Sequence, residues 1–301
     1  MSFFVSNPLP DHQKRQEAFL IERLHLLSNG IPDEIAEPTI ESPTSQLATE
    51  GQFYGDTYKD WCSKIHERAR FHRKQWEFVY ILQSLQVHNK LHAGSKGLGF
   101  GVGTEPLPAL MASMGCQIHA TDMDASEAQK KGWSDTNQHA ESLSILNNKD
   151  ICDQEIFNKN VTFEVVDMNH IPDSLKDFDF TWSACCLEHL GSLQAGFDFI
   201  ENSLQCLKPG GVAVHTTEFN LSSNEETIES GETVLYRKKD FQTFIEYLLK
   251  QGYEVSPMNF HPGSRVLDYY LDIPPYTSDT HIRLLLDQYI TTSVGLIITK
   301  K

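Results

Sequence analysis

A run of alternating glycines is the feature of the sequence with the clearest chemical meaning. The glycines are Gly97, Gly99, Gly101 and Gly103, in the segment GLGFGVG. They close a strand-like segment, and Thr104 and Pro106 directly after them are typical of the start of a helix. Glycine lets the backbone adopt positive φ and lets a ligand lie against the main chain. The G-x-G-x-G spacing differs from the G-x-G-x-x-G that holds a dinucleotide pyrophosphate, so it favours a ligand without phosphates.

Carboxylates follow the next two strand-like segments. Asp122 ends the second of these segments, about 20 residues past the glycines, where an acid can accept hydrogen bonds from both hydroxyls of a ribose. Asp167 ends the third, where it can accept from an adenine amino group while Met168 packs on the ring. The glycine turn and both acids fall on successive strand ends, so together they predict a nucleoside site.

The order of elements from residue 93 onward predicts an α/β fold. Strand-like segments alternate with helical segments such as 193–207 and 238–251, which is typical of a mostly parallel sheet with helices on both faces. The seven strand-like segments are 96–101, 117–122, 161–167, 177–185, 210–219, 253–260 and 293–299. The last two are joined by 261–290, a long connection of the kind that is usually functional.

The first 92 residues have a different pattern, and we interpret 1–92 as an N-terminal helical cap or substrate lid. Helical spacing of apolar residues covers 12–28 and a longer stretch from Tyr58 to about Leu91, with a proline-rich strap over 30–50 between them. The longer helix carries a basic stripe, which is either a solvated face or a means of attracting an anionic acceptor. The stripe comprises Arg68, Arg70, His72, Arg73 and Lys74.

Composition narrows the possible partners. The chain has 301 residues, with 25 Lys and Arg against 41 Asp and Glu, so its formal net charge is 25 − 41 = −16. Such a surface repels phosphate backbones and anionic lipids, so we expect neither nucleic acid nor a membrane as a partner. The six scattered cysteines form no C-x-x-C pair, and the N-terminus lacks the pattern of a signal peptide, so we expect free thiols and a cytoplasmic protein.

Five segments resemble the motifs of one enzyme family, both in their residues and in their order along the chain. GLGFGVG, HATDMD, VVDMNHIP, FDFTWSACCLEHLG and CLKPGGVAVH are similar to class I S-adenosylmethionine-dependent methyltransferases, over residues 93–301. The resemblance implies a Rossmann-like seven-stranded, mostly parallel sheet with an antiparallel last strand, and S-adenosylmethionine as cofactor across the ends of strands one to four. LEHLGS and VAVHTTEFN look like bacterial methyltransferases of secondary metabolism or surface saccharides.

The residues and the resemblance together give a predicted cofactor site. Its members are Gly97, Gly99, Gly101, Gly103, Glu105, Asp122, Met123, Asp167, Met168 and Cys185. One position departs from the family, which commonly has an acid two residues before the first glycine of its motif, where this chain has Gly97. The methionine end of the cofactor must then be bound by another group. Glu105 and the basic residues of the cap helix are the candidates.

A hydroxyl or ammonium acceptor must also lose a proton, and histidine suits the role of base because its pKa is near working pH. We expect the base region at His215 and Glu218 on the fifth strand, with His189 and His261 as further candidates after the fourth and sixth strands. The resemblance suggests that His189 lies near the cofactor. A metal on His215, Glu218 and His261 is not expected, because positions i and i+3 of a strand point to opposite faces.

These patterns predict a methyltransferase that methylates a hydroxyl of a small-molecule or sugar-linked acceptor by in-line displacement. Two alternatives stay open: N-methylation of a small amine, and a non-catalytic relative that serves as a partner subunit. The oligomeric state also stays open, with a homodimer as one option.

Overall fold

The computed structural model describes residues 36–124, 143–147, 149–277 and 279–301. The predicted helix over 12–28 lies outside these ranges. The helices are α1 (Asp56–Lys64), α2 (Arg73–Val87), α3 (Leu107–Ser113), α4 (Gln154–Asn160), α5 (Leu193–Gln205) and α6 (Lys238–Lys250). Short 3₁₀ helices cover Glu50–Phe53, Leu143–Asn147, Leu187–His189 and Val266–Asp268.

The described residues contain twelve strands. They are β1 (Ser45–Leu47), β2 (Phe71–His72), β3 (Lys96–Phe100), β4 (Gln117–Asp122), β5 (Val161–Val165), β6 (Phe178–Ala184), β7 (Leu207–Asn220), β8 (Glu254–Val255), β9 (Met258–Asn259), β10 (Thr280–His281), β11 (Leu284–Leu286) and β12 (Tyr289–Thr299).

Most strands join one central sheet. Its order is β5-β4-β3-β6-β7-β12-β1-β9, with β8 and β11 paired to β12 as well. Strands β5, β4, β3, β6 and β7 run parallel to one another, and β12 is antiparallel to β7. This confirms the predicted α/β class and the antiparallel last strand, but the described residues contain ten strands in this sheet rather than seven. β2 and β10 form a separate two-stranded parallel sheet.

Gly97 and Gly99 lie inside β3, not in the turn that follows it. A Cβ at Gly97 would lie 2.3 Å from Phe180 Cζ, and one at Gly99 would lie 2.3 Å from Trp182 Cζ2. Both aromatic side chains are fully buried in β6, the parallel neighbour of β3. These two glycines therefore make room for aromatic rings in the core, which corrects their predicted role of wrapping a ligand.

Two predicted elements are broken in the structure. The helix expected from Tyr58 to about Leu91 is split into α1 and α2, because the chain turns at His66, which has a φ of +56°. His72 then starts the second helix, since its side chain accepts a hydrogen bond from the Lys74 N–H. The sixth strand expected over 253–260 is reduced to the two-residue strands β8 and β9, and β1 occupies the place between β12 and β9.

The described part of the predicted cap packs directly on the sheet. β1 pairs with both β12 and β9, and α2 lies against β12, β7 and β6. Tyr80 of α2 covers Gly295 of β12 so closely that a Cβ at that glycine would lie 2.1 Å from the ring. The residues between 36 and 92 thus share one core with the sheet, and a functional boundary at residue 92 stays a prediction. Among the described residues, no helix has the length and apolar character needed to cross a membrane.

Candidate functional site

The turn after β3 lies against the end of β4. Gly101 and Gly103 have φ values of +58° and +50°, a backbone conformation that glycine adopts without strain. The N–H of Gly103 donates to Oδ2 of Asp122 over 2.9 Å, and the N–H of Met123 donates to Oδ1 of the same carboxylate over 2.8 Å. Asp122 is buried at this point. The predicted glycine turn and the predicted strand-end acid are therefore neighbours.

The end of β5 joins the same edge. The N–H of Val166 donates to the Asp122 carbonyl over 2.9 Å. Met168 is buried beside Gly101, where an added Cβ would lie 3.3 Å from its sulfur. Asp167 is exposed and accepts hydrogen bonds from His170 and Asn169; partial burial raises the pKa of Asp167, but these hydrogen bonds outweigh that effect and lower it. Three successive strand ends therefore meet at one edge, as the sequence predicted.

Glu105 follows the glycine turn, and both Glu105 and Lys74 form hydrogen bonds to residues of β6. Oε1 of Glu105 accepts a hydrogen bond of 2.7 Å from the Trp182 indole N–H. Burial raises the pKa of Glu105 to about 8, against the opposing effects of that hydrogen bond and of the Lys74 ammonium. Lys74 Nζ donates to the Ala184 carbonyl over 2.8 Å, at the end of β6. The two groups proposed from sequence for the methionine end of a cofactor are therefore close together.

A cluster of charged side chains lies where α2 begins over the ends of β6 and β7. The guanidinium of Arg73 contacts the carboxylate of Glu218, and its Nη1 lies 3.3 Å from Oε1 of Glu77 and 3.2 Å from Cys185 Sγ. Burial raises the pKa of Glu218 above its usual range, although the Arg73 guanidinium opposes that shift. Arg73 therefore links α2 to the predicted acceptor side of the sheet.

Glu188 completes this cluster. It is buried after β6 and accepts a hydrogen bond of 2.9 Å from Thr217 Oγ1. Ligand atoms of Cys185, Glu188 and Glu218 lie within 4.8 Å of one another, close enough to hold a metal ion. Arg73 already contacts two of these three side chains, so the cluster contains its own cation.

His215 lies in the core, which argues against its predicted role as the base. Its Nδ1 is hydrogen-bonded to Ser183 Oγ at 2.7 Å, and its Nε2 to Ser203 Oγ at 3.1 Å. The ring packs edge-on against Phe199 of α5, and burial lowers the pKa of His215 to about 3. Both ring nitrogens are therefore engaged inside the protein, on the opposite face of β7 from Glu218.

Of the other two predicted histidines, His189 borders the charged cluster, with its Nε2 4.0 Å from Oε1 of Glu188, whereas His261 lies away from it. His189 lies in the 3₁₀ turn after β6, where its Nδ1 is 2.8 Å from the Glu232 carbonyl oxygen. His261 lies in the loop after β9, where its Nδ1 accepts a hydrogen bond of 3.0 Å from the Gly263 N–H. Strands β12 and β1 separate β9 from β7, so His261 lies at a different part of the sheet edge.

The sequence analysis missed a buried Asp–His pair in the 261–290 segment. Nδ1 of His281 lies 2.6 Å from Oδ2 of Asp272. The His281 ring lies 4.7 Å from the His72 ring and 5.1 Å from the Tyr276 ring, measured between centroids. His72 directly precedes Arg73, so this pair borders the charged cluster. No local motif marks it; the length of the connection was the only sequence signal.

Residues 98–215 match the family model of a methyltransferase domain. The match begins in β3 and ends in β7, so it covers the glycine turn and the strand ends described above. Over this stretch the chain contains a methyltransferase domain. No curated protein matches the chain.

Solved methyltransferase structures are similar to the chain at low sequence identity. TehB from Haemophilus influenzae is 13% identical, with a TM-score of 0.48 over 81% of this chain and 67% of that one. Phosphoethanolamine N-methyltransferase 2 from Haemonchus contortus is 17% identical, with a TM-score of 0.46 over 82% and 58%. A candidate sarcosine dimethylglycine methyltransferase from Galdieria sulphuraria is 16% identical, with a TM-score of 0.41; the match covers 61% of this chain and 60% of that chain.

S-adenosylmethionine is the cofactor of this methyltransferase domain, and the donor set at the strand ends fits it. A nucleoside needs hydrogen-bond acceptors for its hydroxyls and an apolar surface for its base, which Asp122 and Met168 can supply. A zwitterionic amino acid end needs one anion and one cation as partners, and Glu105, once ionised, and Lys74 can supply them.

Proposed function

We propose that the chain transfers a methyl group from S-adenosylmethionine to a hydroxyl of a small-molecule acceptor, including sugar-linked ones. The observation that supports a hydroxyl as the acceptor is the Asp272–His281 hydrogen bond beside the start of α2. A hydroxyl must lose its proton during methyl transfer, and a histidine oriented by a carboxylate is suited to accept it.

The cofactor would lie across the ends of β3, β4 and β5. Asp122 would accept from the ribose hydroxyls, while Asp167 and Met168 would contact the adenine. Gly101 and Gly103 would let the cofactor approach the main chain, with Met123 and Cys185 as further lining residues. When bound, the cofactor supplies a methyl group that is already activated on a sulfonium. The protein then has to orient the acceptor, exclude water and accept one proton.

His281 has the tautomer that this role requires. Its Nδ1–H donates to Asp272, which leaves the Nε2 lone pair to accept a proton from the acceptor hydroxyl. Within the described residues Nε2 makes no hydrogen bond. Burial lowers the pKa of His281, and the hydrogen bond to Asp272 offsets this only in part, so the ring is neutral at physiological pH. The proton would pass from the acceptor oxygen to Nε2 as the new carbon–oxygen bond forms, and then to solvent.

An amine acceptor is the second candidate, and the composition of the charged cluster favours it. Glu77, Glu188 and Glu218 are all buried, while Arg73 and Lys74 are the cations next to them. The carboxylates thus outnumber the cations, which would stabilise a bound ammonium group. An ammonium acceptor would still have to lose a proton before transfer, whereas a neutral amine would need little help from a base.

Paired acceptors test the proposal. The chain is incubated with methyl-labelled S-adenosylmethionine and pairs of alcohols and amines that share one carbon skeleton, including aminosugars and the matching sugars. We expect the label on the alcohol of a pair. Transfer to the amine alone would support the second candidate. If no S-adenosylhomocysteine binds at millimolar concentration in calorimetry, the chain is a non-catalytic relative and both enzymatic proposals fail.

A further inference from the structure

We propose that Glu105 and Lys74 bind the amino acid end of S-adenosylmethionine, Glu105 its ammonium and Lys74 its carboxylate, and that binding releases a proton from Glu105. The inference rests on the cofactor site of the proposed function. It assigns the acid that replaces the one missing at Gly97, and it gives cofactor affinity a pH dependence that no other part of the proposal requires.

The structure explains why the acid cannot stand at residue 97. A side chain there would need a Cβ 2.3 Å from Phe180 Cζ and 3.0 Å from Ile118 Cδ1. The neighbouring Trp182 ring fills the space above Gly99, and its indole N–H donates to Glu105 Oε1. Phe180 therefore blocks a side chain at residue 97, and its neighbour Trp182 holds the carboxyl of Glu105 just past the glycine turn.

Lys74 is held where it can contact the other charge of the ligand. It lies in the first turn of α2, two residues after the capping His72. Its Nζ donates to the Ala184 carbonyl and lies 3.4 Å from Glu77 Oε2. The side chain of Lys74 is 42% exposed, whereas that of Glu77 is fully buried.

The charges that act on Glu105 come from two elements. Lys74 and Glu77 lie on α2, and Asp122 lies at the end of β4. Because burial raises the pKa of Glu105 to about 8, this carboxyl is mostly protonated in the free protein at pH 7. A bound ammonium favours the ionised form and lowers that pKa, so binding must release a proton. Affinity should therefore increase with pH until the free carboxyl is itself ionised.

The test compares two ligands that differ only in the amino acid end. S-adenosylhomocysteine carries it, and 5′-methylthioadenosine lacks it. Both are titrated calorimetrically into the full chain at pH 6 and pH 7, in two buffers of different ionisation enthalpy. We expect S-adenosylhomocysteine to bind up to tenfold more tightly at pH 7, with release of up to one proton. The affinity for 5′-methylthioadenosine should be the same at both pH values.

Variants locate the proton. Glu105→Gln keeps an oxygen that can accept from Trp182, and it should remove the pH dependence and weaken S-adenosylhomocysteine binding at least tenfold, with 5′-methylthioadenosine unaffected. Lys74→Met should weaken the same ligand but keep the pH dependence. Glu246→Gln, at an exposed position of α6, is the matched control and should behave as wild type.

A pH dependence that persists in Glu105→Gln would overturn the inference. If that variant does not fold, the buffer comparison on the wild-type chain decides instead, and an absence of proton release there would overturn it equally. Failure of the wild-type chain to bind either ligand would have a different meaning, because it would remove the cofactor site as a whole.

Discussion

Nδ1 of His281 donates to Oδ2 of Asp272 over 2.6 Å, and the same carboxylate oxygen accepts from the Thr277 N–H over 2.9 Å. Asp272 is therefore fixed by its own loop and in turn fixes the orientation and tautomer of the imidazole. The short pairing of β10 with β2 sets His281 opposite His72, at the start of α2. The proposed base thus comes from the connection between β9 and β12, not from the end of a strand of the central sheet.

Replacing His281 should separate catalysis from cofactor binding. We expect His281→Gln to lower kcat for a hydroxyl acceptor by about 10²- to 10⁴-fold, the usual contribution of a general base. The Kd of S-adenosylhomocysteine should not change. In the wild type, kcat should fall as the pH decreases through the lowered pKa of His281, because protonation removes the acceptor lone pair. A steady-state pH profile of labelled methyl transfer measures both effects.

His88→Gln provides the control, since His88 lies at the opposite end of α2 and its ring contacts the Ser84 carbonyl. This variant should keep the wild-type profile. Asp272→Asn should lower kcat and leave the Kd of S-adenosylhomocysteine unchanged. A His281→Gln enzyme with wild-type kcat and an unchanged acidic limb would refute the assignment of the base.

Removing one partner of the Arg73–Glu218 ion pair should strongly destabilise the fold. Arg73→Met removes the guanidinium and leaves Glu218 and Glu77 as buried carboxylates without it. Breaking a buried pair by removing one partner typically costs about 3–5 kcal/mol. The double variant Arg73→Met, Glu218→Gln should recover part of that loss, since one uncompensated charge is removed as well. Urea unfolding monitored by circular dichroism measures the three free energies of unfolding.

Arg68→Ala is the matched comparison for this pair. Arg68 contacts Asp279 over 2.8 Å, but both side chains are well exposed. Exposed ion pairs contribute about 0–1 kcal/mol, so this variant should unfold close to the wild-type denaturant concentration. Equal effects of Arg68→Ala and Arg73→Met on the free energy of unfolding would contradict the view that burial makes the loss of the Arg73–Glu218 pair costly.

His215 should affect stability as a function of pH. Burial lowers its pKa to about 3 in the folded state, while in the unfolded chain it is near 6.5. Between these values the unfolded chain binds a proton that the folded protein does not, so the stabilisation is present above about pH 6.5 and is lost as the pH falls towards 3. We expect His215→Asn to reduce this slope by up to about 1.4 kcal/mol per pH unit.

Unfolding series at several pH values measure this slope, and the difference between wild type and variant isolates His215 from the other histidines. His72 has a similarly low pKa because it is partly buried, so the wild-type slope itself contains at least two groups. A catalytic His215 would instead leave the pH dependence of stability unchanged and abolish methyl transfer, an outcome opposite to the one expected.

The parallel strands of the sheet and the meeting of their ends were predictable because their signals are local. The glycine run and the acid at residue 122 each depend on short segments, and parallel strands bring their ends together whatever the rest of the chain does. The same patterns could not distinguish the two kinds of glycine. Gly99 faces the Trp182 ring within a strand, whereas Gly101 has a positive φ in the turn that follows.

The acceptor side was not predictable from local patterns. The pairing of His72 with His281 joins residues more than 200 positions apart through strands of two residues each. Strands this short show no hydrophobic periodicity in the sequence. The break between α1 and α2 was hidden for a related reason. The apolar spacing continues from Trp61 to Trp76, while the turn is fixed by polar contacts such as Gln75 Oε1 accepting the Arg70 N–H. Both features depend on tertiary partners that the local sequence does not contain.

Asp122 should control binding of the nucleoside whatever is attached to it. We expect Asp122→Ala to weaken S-adenosylhomocysteine and 5′-methylthioadenosine alike by more than tenfold, because hydrogen bonds from two ribose hydroxyls to a charged group contribute about 1.5–3 kcal/mol each. Calorimetric titration with both ligands gives the two ratios. Because Asp122 also accepts from the Gly103 and Met123 N–H groups, thermal unfolding must first establish that the variant is folded.

The comparison with a neighbouring acid makes the Asp122 result specific. Glu164 on β5 is half exposed and pairs with His119, so Glu164→Gln should leave both affinities unchanged. The pattern across variants then assigns the two ends of the cofactor: Asp122→Ala affects both ligands, and Glu105→Gln affects only the one with an amino acid end. A folded Asp122→Ala protein that binds 5′-methylthioadenosine as the wild type does would show that the ribose lies elsewhere, and the cofactor could not then lie across β3, β4 and β5.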